Sequence, residues 1–221
     1  WSFLLSQYWI NSSAVICAIL AQLSNKLCEE WQDPHSETRH IPSSQYFETT
    51  LNEINEAKES IQVFMYLISV FPGQLDSQAN QLVQALIKAK ERGVDVRVTL
   101  DQNIDFQEES YEQATYQNKN QQAYELLKRN NIPVFFDEAD TYTHAKAIVI
   151  DNETVILGST NWSKAALTRN NEASALIRSK EFAQSILSDL NKIKLQEDIP
   201  QGLTPSVAIS KKFLTDKKTL G

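Results

Sequence analysis

The segment from residue 144 to residue 161 reads HAKAIVIDNETVILGSTN, and its pattern decides how the surrounding chain must fold. Two apolar runs flank Asp151-Asn152, a dipeptide that is typical of a tight turn between strands. The segment therefore predicts a β-hairpin. Because side chains alternate between the two faces of a strand, His144 and Lys146 project from the same face at the start of the first strand. Two polar groups side by side at the start of an apolar strand mark a candidate site.

The chain on either side of this hairpin alternates helices with strands. Apolar residues at steps of three and four predict helices, and short continuous apolar runs predict buried strands. The predicted helices span residues 44–59, 78–92, 120–129 and 180–194, and the predicted strands span residues 61–67, 94–100, 132–136, 144–150, 154–157 and 172–177. Residues 101–118 are acidic and are predicted to form a loop. This alternation predicts an α/β sandwich with one central sheet.

The first 43 residues form a predicted region of their own. Residues 1–25 carry no charge, but their longest apolar run, residues 14–21, is far shorter than the roughly 20 residues that a membrane-spanning helix needs. Apolar residues at steps of three and four then predict a helix, followed by a polar linker over residues 32–44. We favour a cytoplasmic protein, and export or membrane attachment through residues 1–28 is the alternative.

The composition excludes several classes of protein. The chain has 221 residues, of which 42% are hydrophobic and 22% are charged, an ordinary globular mixture. Its two cysteines and three histidines are too few for a disulfide framework or a Cys/His metal cluster. The net charge of −7 argues against a protein that holds nucleic acid by net charge alone, but it allows a local basic pocket.

His144 and Lys146 make poor core residues, which favours a chemical role. A buried, unpaired ammonium group is costly, so we expect an anionic group beside Lys146. Glu172 begins a further predicted strand and can accept a hydrogen bond from one imidazole nitrogen, which leaves the other nitrogen nucleophilic. A nucleophile, a fixed cation and an orienting carboxylate together suit phosphoryl transfer.

Neutral donors follow the second strand of the hairpin. Gly158 lets the backbone approach a ligand closely, and Ser159 and Asn161 add a hydroxyl and an amide group. Such donors can bind the equatorial oxygens of a phosphoryl group. The alternative for Ser159 and Asn161 is an ordinary turn that is capped by their own side chains.

This spaced pattern resembles a known signature. His-x-Lys-x4-Asp-x6-Gly-Ser-x-Asn is similar to the HKD motif of the phospholipase D superfamily, and Glu172 falls at the position of the family's acidic partner for the histidine. The matching residues are His144, Lys146, Asp151, Gly158, Ser159 and Asn161. The resemblance points to the single-motif bacterial nuclease branch and covers about residues 44–195.

The resemblance implies a fold and a division of the chain. It implies an α/β/α sandwich with a central mixed β-sheet over residues 44–198, preceded by the apolar helical extension and linker of residues 1–43. A C-terminal tail, residues 199–221, follows. Because the chain begins with Trp1 rather than Met, we expect a fragment or a processed product, and the tail is a further candidate for truncation.

The resemblance also implies a mechanism and a role for each motif residue. It implies metal-independent hydrolysis of a phosphodiester through a phosphohistidine, without a cofactor. The implied catalytic residues are His144, Lys146, Asn161 and Glu172, the implied phosphate-binding residues are Lys146, Ser159 and Asn161, and the implied supporting residues are Asp151 and Gly158. No metal-binding residue is implied.

Two such motifs make one active site in this family, and this chain holds one. Neither His35 nor His40 lies in a His-x-Lys pattern. The resemblance therefore implies that a second copy of the chain supplies the other histidine, in a homodimer whose two His144 side chains face each other across a two-fold axis.

Three functions remain as alternatives. The short chain and its single motif favour an endonuclease that acts on DNA or RNA. The uncharged N-terminal region keeps open the alternative of a phospholipase D-type enzyme that cleaves a phospholipid headgroup ester. The third alternative is a non-catalytic nucleic-acid-binding module, against which the intact motif argues.

Overall fold

The computed structural model describes residues 37–71, 73–74, 76–102, 104–106, 116–138 and 141–196. The predictions for the N-terminal helix, the middle of the acidic loop and the C-terminal tail lie outside these residues. None of the helices in the described ranges is both long and apolar enough to cross a membrane.

The described residues form five helices and ten strands. The helices are α1 (Ser43–Glu56), α2 (Gln78–Glu91), α3 (Gln121–Arg129), α4 (Lys164–Thr168) and α5 (Lys180–Leu190). The strands are β1 (Glu37–Ile41), β2 (Ser60–Met65), β3 (Asp95–Leu100), β4 (Ile104–Phe106), β5 (Tyr116–Asn118), β6 (Val134–Asp137), β7 (Lys146–Ile150), β8 (Thr154–Gly158), β9 (Ser174–Arg178) and β10 (Leu195–Gln196).

Eight strands form one mixed sheet in the order β1-β9-β8-β7-β2-β3-β6-β10. β2, β3 and β6 run parallel to one another, and the other neighbours are antiparallel. Parallel neighbours need a crossover connection, and α2 and α3 lie in the two connections between these three strands. The predicted central mixed sheet is therefore confirmed.

Apolar side chains pack on both faces of the sheet. The larger cluster joins Ile148 on one face to helix residues such as Ile54 and Leu86. The opposite face presents Val149 and Val155, against which α5 packs. Because Ile148 and its neighbour Val149 enter different clusters, β7 is buried on both faces, which explains its continuous apolar run. The predicted α/β/α sandwich is confirmed.

Local sequence explains where α2 begins and ends. The Ser77 hydroxyl accepts a hydrogen bond from the Asn80 N–H at 3.2 Å, which caps the first turn. Gly93 follows the last turn with a φ of 92°, a conformation that favours glycine. The helix therefore ends where the sequence predicts.

The prediction of a polar linker over residues 32–44 is wrong from residue 37 onward. Residues 37–41 form β1, which pairs antiparallel with β9, and α1 begins at Ser43. Four of the five β1 residues are exposed or half-buried because β1 lies at the edge of the sheet. Its sequence, ETRHI, therefore lacks the apolar pattern of an interior strand. The unit that contains the central sheet therefore begins at Glu37 rather than at Ser44.

The prediction of an acidic loop over residues 101–118 is wrong in part. β4 and β5 lie within this range and pair with each other as an antiparallel ladder. Asp101 and Gln102, which directly follow β3, are fully buried. Strands of three residues are too short to show a period, so composition alone gave no signal for them.

The predicted hairpin of β7 and β8 is confirmed, with one shift. The two strands pair antiparallel, and Asp151 and Asn152 adopt φ values of 52° and 53° in the connecting turn. Asp and Asn tolerate this left-handed conformation better than most residues. β7 begins at Lys146, so His144 lies in the segment that leads into the strand.

Candidate active site

The candidate site lies at one edge of the central sheet, where several strand ends meet. β2 ends there at Met65 and β3 at Leu100, and the antiparallel β7 begins there because Lys146 pairs with Met65. β8 ends at the same edge with Gly158, which pairs with Ser174 at the start of β9. The sheet thus gathers the residues that follow β2, β3 and β8 around the start of β7.

The ring of Tyr66 contacts both polar residues that begin the motif. Its centroid lies 4.5 Å from that of the His144 imidazole, and the two planes meet at 62° in an edge-to-face arrangement. The Lys146 Nζ lies 4.7 Å from the centroid of the same ring, within cation–π range. The Tyr66 N–H also donates to the carbonyl of Ala145 at 2.9 Å. Tyr66 therefore fixes both side chains relative to the end of β2.

Lys146 is a buried cation. The residue is 6% exposed, and its Nζ donates a hydrogen bond to the His144 carbonyl at 2.8 Å. Burial lowers the pKa of Lys146, although the negative charges of Asp101 and Glu172 act in the opposite direction. An ammonium group in such surroundings attracts a phosphate more strongly than an ammonium group in water.

Glu172 is hydrogen-bonded to Ser159, the serine of the motif. The Ser159 hydroxyl donates to one Glu172 carboxylate oxygen and accepts from the Ala173 N–H at 3.0 Å. The other carboxylate oxygen accepts from the Asn170 side chain at 3.0 Å. Glu172 and Ser159 are thus brought together, and the negative charge of Glu172 acts to raise the pKa of Lys146. The predicted hydrogen bond from the His144 imidazole to Glu172 stays a prediction.

Gly158 is required by the close approach of β8 and β9. A Cβ atom at this position would lie 2.3 Å from the Ala173 carbonyl oxygen and 2.6 Å from the Ser174 Cα. Both are backbone atoms, so the neighbouring strand would have to move. The absence of a side chain at Gly158 lets the Ser159 backbone N–H donate to the Ala173 carbonyl at 2.9 Å. Gly158 therefore acts by close strand packing.

Asn161 is half-buried, and hydrogen bonds of the next residue, Trp162, hold its main chain in place. Trp162, which is fully buried, exchanges backbone hydrogen bonds with Leu67 at 3.0 Å and Ser69 at 2.8 Å. Among the described residues, the buried Asn161 Oδ1 has no hydrogen-bond partner. A buried polar atom without a partner costs about 1–3 kcal/mol, and functional sites are one of the places where this cost is found.

Asp151, the last charged residue of the motif, lies at the opposite end of β7 from Lys146. Its carboxylate accepts hydrogen bonds from the backbone N–H groups of Lys58, Glu59 and Ser60, at 3.0, 2.8 and 3.0 Å. Burial acts to raise the pKa of Asp151, but these backbone hydrogen bonds outweigh it and the pKa is lowered. The geometry gives Asp151 a role in joining the hairpin turn to the start of β2.

Tyr66 and Asp101 belong to the site but were not among the predicted site residues. Each directly follows a buried strand, β2 or β3, and polar residues at the carboxyl ends of neighbouring parallel strands meet at one edge of a sheet. That signal was present in the sequence. The acidic composition of residues 101–118 made Asp101 look like part of a surface loop instead.

A groove opens beside His144. It has a volume of about 610 Å³, and its lining includes Tyr142 and His144 together with Lys192 and Lys194, which lie beyond the end of α5. Tyr142 is 39% exposed. The groove therefore combines the imidazole with an aromatic side chain and two ammonium groups, and the acidic residues Glu138 and Asp189 also line it.

Both lysines of the groove form ion pairs at its rim. Lys192 lies 3.1 Å from Asp189, and Lys194 lies 3.3 Å from Glu138. Exposed ion pairs of this kind contribute little free energy, so the lysines can exchange these partners for an anionic ligand. Within the described part of the chain, no three His, Cys, Asp or Glu side chains cluster closely enough to hold a metal ion.

Comparison with known proteins agrees with this geometry. A family model described as the phospholipase D-like domain of cardiolipin synthase matches residues 50–194. The phospholipase D of Rickettsia conorii is 34% identical over 138 residues, which cover 62% of this chain and 58% of the relative. The mitochondrial cardiolipin hydrolase of Mus musculus is 25% identical over 160 residues, which cover 72% of this chain and 60% of the relative. The chain thus spans about three-fifths of these curated relatives.

A solved structure is also similar. The crystal structure of Nuc, a phospholipase D family member from Salmonella typhimurium, superposes with a TM-score of 0.56 at 27% sequence identity. The match covers 74% of this chain and 98% of Nuc. The family model spans both the HKD-like motif and the sheet edge that carries it. The chain belongs to the phospholipase D superfamily.

Proposed function

We propose that the chain hydrolyses phosphodiesters, with His144 as the nucleophile and Lys146 as the cation that binds the phosphate. The observation that carries this proposal is the contact of both side chains with one ring, that of Tyr66, at the edge of the sheet. Asn161 and the Ser159–Glu172 pair follow β8 at the same edge. Membership of the phospholipase D superfamily supports the same class of reaction.

The first step transfers the phosphoryl group to the enzyme. One nitrogen of the His144 imidazole attacks phosphorus, a P–N bond forms, and the P–O bond to the leaving group breaks. The leaving oxygen takes a proton from a second imidazole. Lys146 and Asn161 stabilise the charge on the non-bridging oxygens, which is greatest in the transition state. Ser159 contributes once its hydroxyl turns from Glu172 to the phosphate.

The second step returns the enzyme to its starting state. The second imidazole, now neutral, removes a proton from water, and the water oxygen attacks phosphorus while the P–N bond breaks. Among the described residues, the only histidine besides His144 is His40, which lies in the edge strand β1. We therefore propose that the second imidazole is His144 of another copy of the chain, in a homodimer.

We propose a nucleic acid as the substrate. A nucleic acid chain continues on both sides of its scissile phosphate, so it needs a binding surface beyond the reacting atoms. The groove beside His144 supplies an aromatic side chain for stacking, Tyr142, and the ammonium groups of Lys192 and Lys194 for phosphates.

A phospholipid is the second candidate substrate. The names of the relatives, phospholipase D and mitochondrial cardiolipin hydrolase, favour this alternative. The groove also has apolar wall residues, Leu190 and Ile193, which suit an acyl or glycerol group. The chemistry at His144 is the same for both substrates.

Trapping the phosphohistidine tests the reaction and the substrate together. The purified chain is mixed with a single-stranded oligonucleotide or with phosphatidylcholine vesicles, in excess chelator, and quenched within milliseconds. The intermediate keeps one ester of the substrate, so the mass added to His144 identifies the substrate class. We expect a nucleotidyl adduct on His144 and no adduct in His144→Ala.

A phosphatidyl adduct in place of a nucleotidyl adduct would reject nucleic acid and retain the reaction. Nucleic acid binding without turnover or an adduct would instead indicate a non-catalytic binding module. Loss of turnover in chelator would contradict the metal-independent mechanism that we propose.

A further inference from the structure

Two buried carboxylates converge on one backbone N–H beside the candidate nucleophile. The N–H of Thr143, the residue before His144, donates to Asp101 Oδ2 and to Asp137 Oδ2, at 2.8 Å in both cases. Asp101 is 0% exposed and Asp137 is 1% exposed. One acceptor satisfies an N–H, and a buried carboxylate is costly. One carboxylate is enough to satisfy the Thr143 N–H, so folding of this turn does not require the second one.

Asp137 is anchored at the end of β6. Its Oδ1 accepts a hydrogen bond from the Gln102 N–H at 2.8 Å. The Gln102 side chain in turn donates to the Asp137 carbonyl at 2.8 Å and to Gln196 in β10 at 2.9 Å. Asp137 is thus held by groups that follow β3 and by the neighbouring strand β10.

Asp101 is anchored at the end of β3. Its carbonyl accepts from the Asn120 side chain at 2.7 Å, and the same amide nitrogen donates to the Tyr66 carbonyl at 2.9 Å. The Asn120 Oδ1 accepts from the Ile68 N–H at 2.8 Å. Asn120 therefore ties the backbone of Asp101 to the backbone that carries Tyr66.

We propose that Asp101 and Asp137 are positioning residues for the proposed reaction. Together they fix the peptide of Thr143, and with it the main chain that carries His144 and Lys146 into the site. Asp101 also supplies a negative charge that acts on Lys146. This inference rests on the proposed function, because positioning matters for a nucleophile and a cation that act on one phosphate.

The two carboxylates are expected to differ in their effect on Lys146. The groups that face Lys146 are Tyr66 after β2, Asp101 after β3 and Glu172 before β9, together with His144 on its own segment. The charges of Asp101 and Glu172 raise the pKa of Lys146 against the effect of burial. Removal of the Asp101 charge therefore lowers the pKa of Lys146 further, and the ammonium group is lost at a lower pH.

The test is the pH dependence of kcat and KM in Asp101→Asn and Asp137→Asn, with bis(p-nitrophenyl) phosphate as the substrate. We expect both variants to lower kcat by about 100-fold with little change in KM, because the reacting groups are displaced. We expect the alkaline limb of the profile to move to lower pH in Asp101→Asn alone. Asp95→Asn, at the exposed start of β3, is the matched control and should retain the wild-type profile.

A second variant covers the case in which Asp101→Asn does not fold. Asp101→Glu keeps the charge but displaces it, so kcat should fall while the alkaline limb stays in place. Near-UV circular dichroism establishes native packing in each variant. Wild-type kcat and a wild-type pH profile in both asparagine variants would overturn the inference.

Titration of Lys146 by NMR, in a chain with ¹³C-labelled lysine, separates this inference from the proposed function. A wild-type chain that hydrolyses no phosphodiester overturns the proposed function. The inference is supported if Asp101→Asn lowers the titration midpoint of Lys146 while Asp137→Asn leaves it unchanged. The role assigned to the Asp101 charge is overturned if Asp101→Asn leaves that midpoint in place.

Discussion

Tyr66 is the side chain on which the two motif residues nearest the reaction converge. Its ring contacts the His144 imidazole edge-to-face and the Lys146 ammonium group through its π-face. Each contact is worth only about 1 kcal/mol. Their combined effect on catalysis is larger, because they set the relative position of a nucleophile and a cation.

Two substitutions of Tyr66 should therefore distinguish the contribution of the ring to kcat from that of the hydroxyl. We expect Tyr66→Phe, which keeps the ring, to retain kcat within about threefold, and Tyr66→Ala to lose about 100-fold in kcat with a small change in KM. Steady-state kinetics of a phosphodiester substrate, with the folded fraction measured by circular dichroism, checks this expectation.

Phe135 provides a control for the loss of an aromatic ring elsewhere. It is half-buried in β6, where the Arg97 guanidinium lies 4.4 Å above its ring. Phe135→Ala removes a similar cation–π contact and should leave kcat of the folded protein near the wild-type value. Equal losses in Tyr66→Phe and Tyr66→Ala would show that the hydroxyl, not the ring, is what the site needs.

The β7–β8 hairpin is attached to the rest of the sheet at its turn. The Asp151 carboxylate accepts hydrogen bonds from three backbone N–H groups, two in the connection between α1 and β2 and one at the first residue of β2. These hydrogen bonds favour the ionised carboxylate, so the folded state binds a proton at Asp151 less readily than the unfolded chain does.

The stability contributed by Asp151 should accordingly depend on pH. A group whose pKa is depressed by folding contributes stability above its unfolded pKa, and this stability is lost as pH falls through the folded pKa. We expect Asp151→Ala to lower the free energy of unfolding at pH 7 by about 1–3 kcal/mol. The difference from wild type should shrink below the ordinary Asp pKa of 3.8. Denaturant unfolding at a series of pH values measures it.

Glu153→Ala is the control for this effect. Glu153 is an exposed acidic residue in the same turn, so its removal should change the free energy of unfolding by less than about 0.5 kcal/mol. If the difference between wild type and Asp151→Ala stays constant as pH falls from 7 to 2, the carboxylate is not what holds the turn.

Interior elements were predictable from the sequence, whereas edge elements were not. β7 is an apolar run buried on both faces, β2 and β3 each end in three buried residues, and α2 has a cap and a terminal glycine, so each carries its own signal. β1, β4, β5 and β10 are short or lie at sheet edges, and their formation depends on a partner strand that is distant in sequence.

In the site, too, residues that are close in sequence were predictable, whereas residues that are distant in sequence were not. The spacing of the motif identified His144, Lys146, Ser159 and Asn161, because these residues lie within one hairpin and the turn after it. Tyr66, Asp101 and Asp137 are brought to the site by strand pairing across more than one element. Their places at the ends of strands can be read from the sequence, but which strands are neighbours cannot.

At the scale of the whole molecule, the proposed active site needs two chains. If each site uses His144 from both protomers, a heterodimer of wild-type and His144→Ala chains has no complete site. Co-expression of the two chains in equal amounts should then leave about one quarter of the dimers active, under random pairing. The specific activity of the mixture, measured beside dimers of each chain alone, tests this expectation.

Monomers that work alone would retain about one half of the activity in that mixture. Analytical ultracentrifugation of both chains is the accompanying control, because His144→Ala should dimerise as the wild type does. A strictly monomeric wild-type chain with full activity would contradict the shared site.

The packing at Gly158 also has a consequence for altering the specificity of this scaffold. Any larger residue there would collide with main-chain atoms of the adjacent strand, so even the smallest substitution, to alanine, is unfavourable. Libraries intended to broaden the range of accepted esters should leave position 158 untouched. They should instead diversify the outward-facing positions near the end of α5, where variation does not disturb the sheet.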